Sequence, residues 1–323
     1  MDWCGIVAIN KPPGFTSRQI VDKVAKLVRP AKAGHAGTLD PLATGVLVVA
    51  VGPATRLITH LQQGRKRYIG QFRLGQRSDT DDAEGQLVPG GDWAGVSEAD
   101  LVAAASQFTG VVSQIPPQFS AVHVDGKRAY ALARKGEVVD LQARDVEVFS
   151  LLVTRFEPPD FELTIECGSG TYIRSIGRDL GEQLGCGALM TALQRTAVGP
   201  FTIEDAVPFD ELDNERLKES LQPALHAVAD RPRRVVDADE LRALRQGRTI
   251  PIGDLTARTK LDDQSGLSTA AHCVESNFTP PGADQCPKVE VALIDSSGLL
   301  IGMAKLEREK QRLQPEIMFP PRD

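Results

Sequence analysis

The sequence predicts an α/β (α+β) protein with a mixed, largely antiparallel central sheet flanked by helices, followed by a small β-rich C-terminal module. Short β-branched apolar runs, such as residues 46–51, are typical of buried strands. Other stretches, such as residues 17–28, place apolar residues at helical spacing. Beyond about residue 230 the segments become shorter and mostly strand-like. We therefore expect one domain at residues 1–230 and a second at residues 231–323.

The first part of the chain alternates predicted strands and helices. Residues 5–10 have the pattern of a buried strand, which the proline and glycine residues at 12–14 end. Ser17 is the predicted N-cap of the next helix, which Pro30 ends. Residues 65–74 alternate basic or polar residues with apolar ones, which predicts a strand with a basic face that includes Tyr68.

Later elements follow from the same patterns. Further helices are predicted for residues 54–63, 97–110, 128–135, 171–180 and 237–245, and strands for residues 138–166 and 289–306. Residues 254–287 are rich in Asp, Ser, Thr, Gly and Pro and lack periodicity. We expect a mobile insertion there.

Composition restricts the class of protein. Apolar residues make up 41% of the 323 residues and charged residues 25%, as in soluble globular proteins. No apolar run is long enough to span a membrane, and the N-terminus has no signal-peptide pattern. The five cysteines are scattered without metal-ligand spacing. We therefore expect a cytoplasmic protein without a metal site.

Charge is distributed unevenly along the chain. The net charge is −6, yet residues 1–77 carry twelve Lys and Arg against three Asp and Glu. Such a local excess of positive charge favours a polyanionic partner such as a nucleic acid. The alternative is that these residues only solvate helix faces.

Residues 34–45 contain a candidate functional carboxylate. Asp40 lies between Leu39 and Pro41, and the proline restricts the backbone of the residue before it. Gly37 and Gly45 allow tight bends or the close approach of a ligand. The alternative is ordinary Asp-Pro turn chemistry, which the loop alone does not exclude.

Several motifs together resemble those of the bacterial tRNA pseudouridine-55 synthases, the TruB family. They span residues 5–204 in shared order and spacing, and they comprise residues 10–14 (NKPPG), 34–47 (GHAGTLDPLATGVL), 66–68 (KRY), 74–85 (LGQRSDTDDAEG), 124–128 (VDGKR), 170–174 (GTYIR) and 192–201 (ALQRTAVGPF). The resemblance implies a pseudouridine synthase fold with a PUA-like C-terminal domain. It also implies isomerisation of the T-loop uridine at position 55 of tRNA, without a cofactor or metal.

The resemblance implies that Asp40, Tyr68 and Arg174 are catalytic. Asp40 is the family's catalytic aspartate, and an arginine beside it would keep the carboxylate ionised and oriented. Tyr68 would stack on the extruded base and assist removal of the C5 proton. Viewed alone, Arg174 could be a surface helix residue and Tyr68 a packing residue.

Further residues match positions that bind RNA in the family. His35, Tyr172 and Leu193 correspond to contacts with the flipped nucleotide, since the target uridine must leave its stack before reaction. Taken alone, His35 could be an ordinary loop residue. The expected phosphate contacts are Lys11, Arg18, Lys32, Lys66, Arg67 and Lys127.

The chemistry needs only one carboxylate. The N1–C1′ bond must break, the base must turn, and C5 must bond to C1′. Glycosidases need a second carboxyl group to protonate the leaving group, but uracil leaves as a delocalised anion, so such an acid matters less here. Asp40 could attack the sugar, abstract its 2′ proton or add to the base. We favour sugar-centred chemistry through a glycal.

Three features depart from the family pattern. Phe119 occupies a position that is often tyrosine, Ala36 replaces a frequent threonine, and residues 254–287 interrupt the PUA-like module.

Two other functions compete with the synthase: a non-catalytic tRNA-folding chaperone, and a guide-RNA-dependent synthase that needs protein partners and an intact PUA domain. We expect a monomer that binds tRNA without a protein partner or a membrane.

Overall fold

The described part of the computed structural model comprises residues 3–120, 122–124, 126–133, 136, 139–256 and 289–321. Almost all of the predicted insertion at residues 254–287 lies outside these described residues. The chain divides into two units, a larger one at Ile6–Leu221 and a smaller one that joins Met1–Gly5 to Gln222–Asp323.

The strands of the larger unit belong mainly to one extended sheet. In chain order the strands are β1 (Gly5–Lys11), β2 (Ala33–His35), β3 (Thr44–Val51), β4 (Lys66–Leu74), β5 (Gln76–Ser78), β6 (Leu87–Pro89), β7 (Gly110–Gln114), β8 (His123–Val124), β9 (Lys127–Arg128), β10 (Arg144–Glu157), β11 (Asp160–Cys167), β12 (Ala188–Val198), β13 (Phe201–Thr202) and β14 (Val207–Pro208).

The central sheet is mixed and largely antiparallel, as predicted. Its strand order is β14-β1-β3-β12-β4-β11-β10-β7, with β2 beside β3 and β13 beside β12. β1 with β14 and β3 with β12 are parallel pairs. The four pairs from β12 to β7 are antiparallel. Val46 to Val51 on β3 are fully buried, which explains why this run is continuously apolar.

Helices surround this sheet. They are α1 (Ser17–Leu27), α2 (Ile58–Gln63), α3 (Glu98–Ser106), α4 (Ala129–Ala133), α5 (Ile173–Gln183) and α6 (Asn214–Ser220), with a 3-10 helix at Gly52–Leu57 before α2. α1 buries Ile20, Val21 and Val24, in agreement with its predicted apolar face. α5 begins after Tyr172, and its first turn carries Arg174.

Two local predictions are wrong. The N-cap of α1 is Thr16, whose side chain accepts from Gln19 N, and Ser17 is the first helical residue and is buried. On β4 the side chain of Tyr68 lies on the buried face with Phe72 and Leu74, because burial alternates along the strand. The basic face of β4 therefore does not include Tyr68.

The smaller unit is a five-stranded sheet with its own apolar core. Its elements are a 3-10 helix (Ala224–Val228), β15 (Arg233–Val235), α7 (Ala238–Arg245), β16 (Ile250–Pro251), β17 (Glu290–Ile294), β18 (Leu300–Glu307) and β19 (Arg312–Met318). The strand order is β15-β17-β18-β19-β16. Leu244 of α7 packs with Val291 and Leu313 in the core. This arrangement agrees with the small β domain that the sequence predicts.

The described helices are all too short or too polar to cross a membrane.

Candidate active site

Asp40 lies in the loop between β2 and β3, and the residue before it, Leu39, is hydrogen-bonded to Ser17 of α1. Ser17 Oγ accepts a hydrogen bond from Leu39 N at 2.8 Å and donates to the Leu39 carbonyl at 3.0 Å. Ser17 is 3% exposed and Leu39 is also 3% exposed. The serine therefore satisfies both backbone groups of a buried residue and sets the position of the next one.

The residue after Asp40 is fastened to the segment that follows β1. The carbonyl of Pro41 accepts from Gly14 N at 2.9 Å and from Lys11 Nζ at 3.2 Å. Lys11 also donates to the Pro12 carbonyl at 2.9 Å. The Lys11 side chain is fully buried and its ammonium serves this loop, so the structure of the free protein does not present it at the surface for the predicted phosphate contact. Burial lowers the pKa of Lys11 to about 8.

Glycine is required where β3 begins. Gly45 pairs with Arg195 across the parallel β3–β12 contact and has φ +95°. A Cβ atom there would lie 2.2 Å from the Arg195 carbonyl oxygen. The close approach of the two strands thus depends on a residue without a side chain, which explains one glycine of the loop motif.

Arg174 forms an ion pair with Asp40. Its Nε lies 3.0 Å from Asp40 Oδ2. The arginine is 5% exposed, so the structure does not support a surface-helix role for it. The side chain of Asp40 keeps 36% of its surface accessible. A substrate can therefore reach a carboxylate that protein otherwise surrounds.

Arg174 is held by three further groups. Its Nη1 donates to the Thr80 carbonyl at 2.8 Å and lies 3.4 Å from Asp82 Oδ2, and its Nη2 donates to the Phe119 carbonyl at 3.2 Å. Asp82 is 3% exposed, and its Oδ1 accepts from Thr80 Oγ1 at 2.6 Å and from Glu84 N at 3.0 Å. The acidic loop at 79–84 thus supplies a second carboxylate for the arginine, a role that its sequence did not indicate.

The surroundings of Asp40 raise its pKa above the ordinary value of 3.8. Burial is the largest cause, and the negative charge of Asp82 acts in the same direction. Arg174 opposes both, because its positive charge favours the ionised carboxylate. Arg174 is therefore the main group that favours the ionised form of this partly buried carboxylate.

Tyr68 on β4 pairs with Arg195 on β12 and with Ile165 on β11. Its side chain is 8% exposed and its hydroxyl accepts a hydrogen bond from Arg195, while burial raises its pKa above 10.0. Arg195 is itself 1% exposed and donates from Nε to the Val46 carbonyl at 2.7 Å and from Nη2 to the Gly37 carbonyl at 3.1 Å. One buried arginine thus links the tyrosine to the loop that carries Asp40.

These residues enclose a cavity of about 300 Å³. Its lining includes Asp40, Tyr68, Phe119, Ser120, Tyr172, Arg174, Leu193, Arg195 and Lys66. His35 is outside this lining; it lies on β2, and burial lowers its pKa below 6.5. Within the described ranges, no group of three or more His, Cys, Asp or Glu side chains is arranged to hold a metal ion.

The predicted phosphate contacts occupy different environments. Arg18, Lys32 and Arg67 are exposed, and Arg18 pairs with Asp22 at 2.8 Å. Lys66 lines the cavity but is 6% exposed and donates to the Gln62 carbonyl, so it is not a surface contact. Burial lowers its pKa to about 8. Lys127 lies on β9, and its side chain is outside the described part of the structure.

Two family models match the chain in succession. The TruB family pseudouridylate synthase N-terminal domain matches residues 25–173, and the tRNA pseudouridylate synthase B C-terminal domain matches residues 174–231. The boundary between the two falls at the start of α5, so both matched segments contribute residues to the cavity.

Curated relatives extend the similarity over most of the chain. The tRNA pseudouridine synthase B of Thermobifida fusca is 47% identical over 255 residues, which cover 76% of this chain and 86% of that protein. The protein of the same name from Prochlorococcus marinus is 37% identical over 321 residues, or 98% of this chain and 97% of that one.

A solved structure extends the comparison to the fold. A Cbf5–Nop10–Gar1 complex contains a chain with a TM-score of 0.67 and 25% identity, which covers 99% of this chain and 84% of that one. The predicted fold class is confirmed. With the two family models and relatives of up to 47% identity, these findings establish that the chain belongs to the TruB family of tRNA pseudouridine synthases.

Proposed function

We propose that this chain isomerises the uridine at position 55, in the T-loop of tRNA, to pseudouridine. The observation that carries the proposal is the Asp40–Arg174 ion pair, 3.0 Å long, at a cavity that Tyr68 also lines. Membership of a family whose relatives are named tRNA pseudouridine synthase B supports the same reaction.

The reaction is centred on the sugar. Asp40 takes the C2′ proton, the N1–C1′ bonding electrons leave with uracil, and a glycal remains. The base turns, C5 bonds to C1′ of the glycal, and Asp40 returns the proton to C2′. C5 then loses its proton and N1 gains one, so the product is an isomer of the substrate. Arg174 keeps Asp40 ionised for the first step.

The target nucleotide enters the cavity after it leaves the RNA stack. Tyr68, Tyr172 and Leu193 line this cavity, and an aromatic face that stacks on a base contributes about 1–3 kcal/mol. His35 lies outside the cavity lining, and we infer that its ring stacks or hydrogen-bonds where the base has left once the RNA is bound. Arg18, Lys32 and Arg67 are exposed and available to phosphates.

The chain acts as a monomer on tRNA in the cytoplasm. The catalytic domain is residues 1–230 and the PUA-like domain is residues 231–323.

Incubation of the purified protein with an unmodified tRNA transcript, followed by mapping of pseudouridine, tests the proposal. We expect conversion of one T-loop uridine without added guide RNA or protein. Refolding of the transcript without conversion would favour an RNA chaperone. Conversion only after addition of a guide RNA would favour the guide-dependent branch.

The hydroxyl of Tyr68 should matter for the rate and not for binding. Tyr68→Phe keeps the aromatic face and removes only the oxygen that pairs with Arg195. We expect kcat to fall about 10²–10⁴-fold, the usual contribution of a positioned acid or base, with little change in KM. Single-turnover rates and tRNA affinity measure the two effects. Equal rates for Tyr68→Phe and the wild type would show that the hydroxyl takes no part in the mechanism. Tyr68→Leu also removes the stacking face, so it should weaken tRNA binding.

The buried hydroxyl of Ser17 should position Asp40. Ser17→Ala leaves both backbone groups of Leu39 without their partner, which costs about 1–3 kcal/mol for a buried group. A displacement of Asp40 should lower kcat about 10- to 100-fold, since small misplacements of reacting groups are costly. Thermal unfolding and steady-state kinetics measure both effects. Ser106→Ala, on the exposed face of α3, is the control. An unchanged kcat would show that the loop holds Asp40 without this contact.

A further inference from the structure

One buried hydroxyl in the cavity wall has no partner among the residues that the structure describes. Ser120 lines the cavity, is 3% exposed, and its Oγ makes no hydrogen bond within the described part of the chain. A buried hydroxyl without a partner is unfavourable and rare in folded proteins. Its position beside Phe119 and Arg174 in a substrate-sized cavity indicates a partner that arrives with the substrate.

Other buried polar groups in the cavity wall are already paired. Asp40 pairs with Arg174, Lys66 donates to the Gln62 carbonyl, and Tyr68 pairs with Arg195. Their hydrogen-bonding capacity is at least partly used by the protein itself. Ser120 therefore differs from its neighbours in offering an unused donor and acceptor to a ligand.

The two residues that precede Ser120 are held in place by hydrogen bonds. The carbonyl of Phe119 accepts from Arg174 Nη2 at 3.2 Å. The side-chain amide of Gln118 donates from Nε2 to the Val139 carbonyl at 2.8 Å, and its Oε1 accepts from Val139 N at 3.0 Å. The arginine that orients Asp40 thus also anchors the segment of Ser120, so the hydroxyl and the carboxylate are positioned together.

We propose that Ser120 donates a hydrogen bond to a ring carbonyl oxygen of the flipped uracil and positions the base while it turns. The inference rests on the proposed function and assigns one contact within it. Turning uracil about the N3–C6 axis exchanges N1 with C5 and also exchanges O2 with O4. A donor that faces one carbonyl oxygen before the turn therefore faces the other afterwards. A hydroxyl at this place serves both the substrate and the product orientation.

A cycle that combines a protein variant with a substrate change tests this contact. Ser120→Ala and the wild type are each given T-stem-loop RNA with uridine, 2-thiouridine or 4-thiouridine at the target position. On uridine we expect kcat/KM of the variant to fall about 3- to 10-fold, as for loss of one neutral hydrogen bond. Because sulfur accepts hydrogen bonds weakly, at least one thio substrate should slow the wild type more than the variant.

Stability distinguishes a substrate contact from a structural role. Because Ser120 Oγ has no partner among the described residues, Ser120→Ala should unfold at the same temperature as the wild type or higher. Ser106→Ala, whose hydroxyl donates to the Ala103 carbonyl on an exposed helix face, should behave like the wild type in the kinetic cycle.

Each outcome bears on the inference. Equal kcat/KM of variant and wild type on uridine would overturn it, as would equal thio effects in both proteins. A lower unfolding temperature of the variant together with slower turnover would assign Ser120 a structural role and also overturn it. If the wild type forms no pseudouridine at all, the proposed function fails and this contact with it. If the wild type is active and the cycle shows no coupling, only this contact fails.

Discussion

Asp40→Asn should lower pseudouridine formation at least about 10⁴-fold, as removal of a catalytic side chain does in other enzymes, and leave tRNA affinity nearly unchanged. An amide has almost the shape of the carboxylate but neither takes a proton from carbon nor stabilises a cationic sugar. The variant should fold, because Arg174 keeps Asp82 and the carbonyls of Thr80 and Phe119 as partners. Loss of one negative charge near the RNA should not weaken binding.

Single-turnover assays and equilibrium binding with the same T-stem-loop RNA measure these two effects. Asp92→Asn is a matched control, since Asp92 is exposed and accepts from Ala94 N at 2.9 Å in its own turn. The control should retain full activity. An Asp40→Asn protein that still converts uridine at the wild-type rate would end the mechanism proposed for this site. A large loss of affinity would instead assign Asp40 to substrate binding.

Arg174→Met should affect both stability and turnover. The variant leaves Asp82, which is 3% exposed, without its charged partner, and breaking a buried pair in this way costs about 3–5 kcal/mol. It also removes the positive charge beside Asp40. We expect turnover to fall at least about 100-fold, comparable to the loss of a key electrostatic contact in other active sites. Chemical denaturation and single-turnover kinetics measure the two losses.

A second substitution separates these losses. Asp82→Asn in the Arg174→Met background removes the unpaired buried charge, so stability should recover in part while turnover stays low. Arg73→Met is the control, because Arg73 pairs with Asp160 at an exposed position and such pairs contribute little. Recovery of turnover together with stability would show that Arg174 acts only through folding.

Arg174→Met should also change the pH dependence of kcat/KM. The reaction requires ionised Asp40, so kcat/KM falls as pH decreases through the pKa of this carboxyl in the free enzyme. Burial raises that pKa above 3.8 and Arg174 lowers it. Without the arginine the pKa rises further, and the acid limb of kcat/KM in residual activity should move to higher pH.

The sequence predicted the fold class because the period of apolar residues is a local property. The continuous apolar run of β3 and the repeating apolar face of α1 both identified their elements. The face of Tyr68 was predicted wrongly, because β4 is an interior strand between β12 and β11 and one of its two faces is buried: Lys66 and Tyr68 share that face, whereas Arg67 is exposed. Which face of a strand is buried depends on those neighbours.

The candidate site was predicted in part. The motif resemblance placed Asp40, Tyr68 and Arg174 in one site, and the structure brings all three to one cavity. The pattern did not indicate Asp82, because a run of acidic residues at 79–84 looks like a solvated loop until its partner is known. It also assigned Lys11 to phosphate, although the same residue type at a buried position satisfies a backbone carbonyl.

By itself, the sequence of this protein determined many of its elements, though not the central strand β12, as well as its family and the carboxylate at its centre, because these follow from residue types at fixed spacing. Only the tertiary structure decided which groups surround that carboxylate. Ser17 contacts Leu39, Lys11 contacts Pro41, and Asp82 contacts Arg174. The two members of each pair are far apart in the chain, and only the fold brings them together. Burial and ion pairing arise only when those distant segments meet, and so does the buried position of the Ser120 hydroxyl, which has no partner among the described residues.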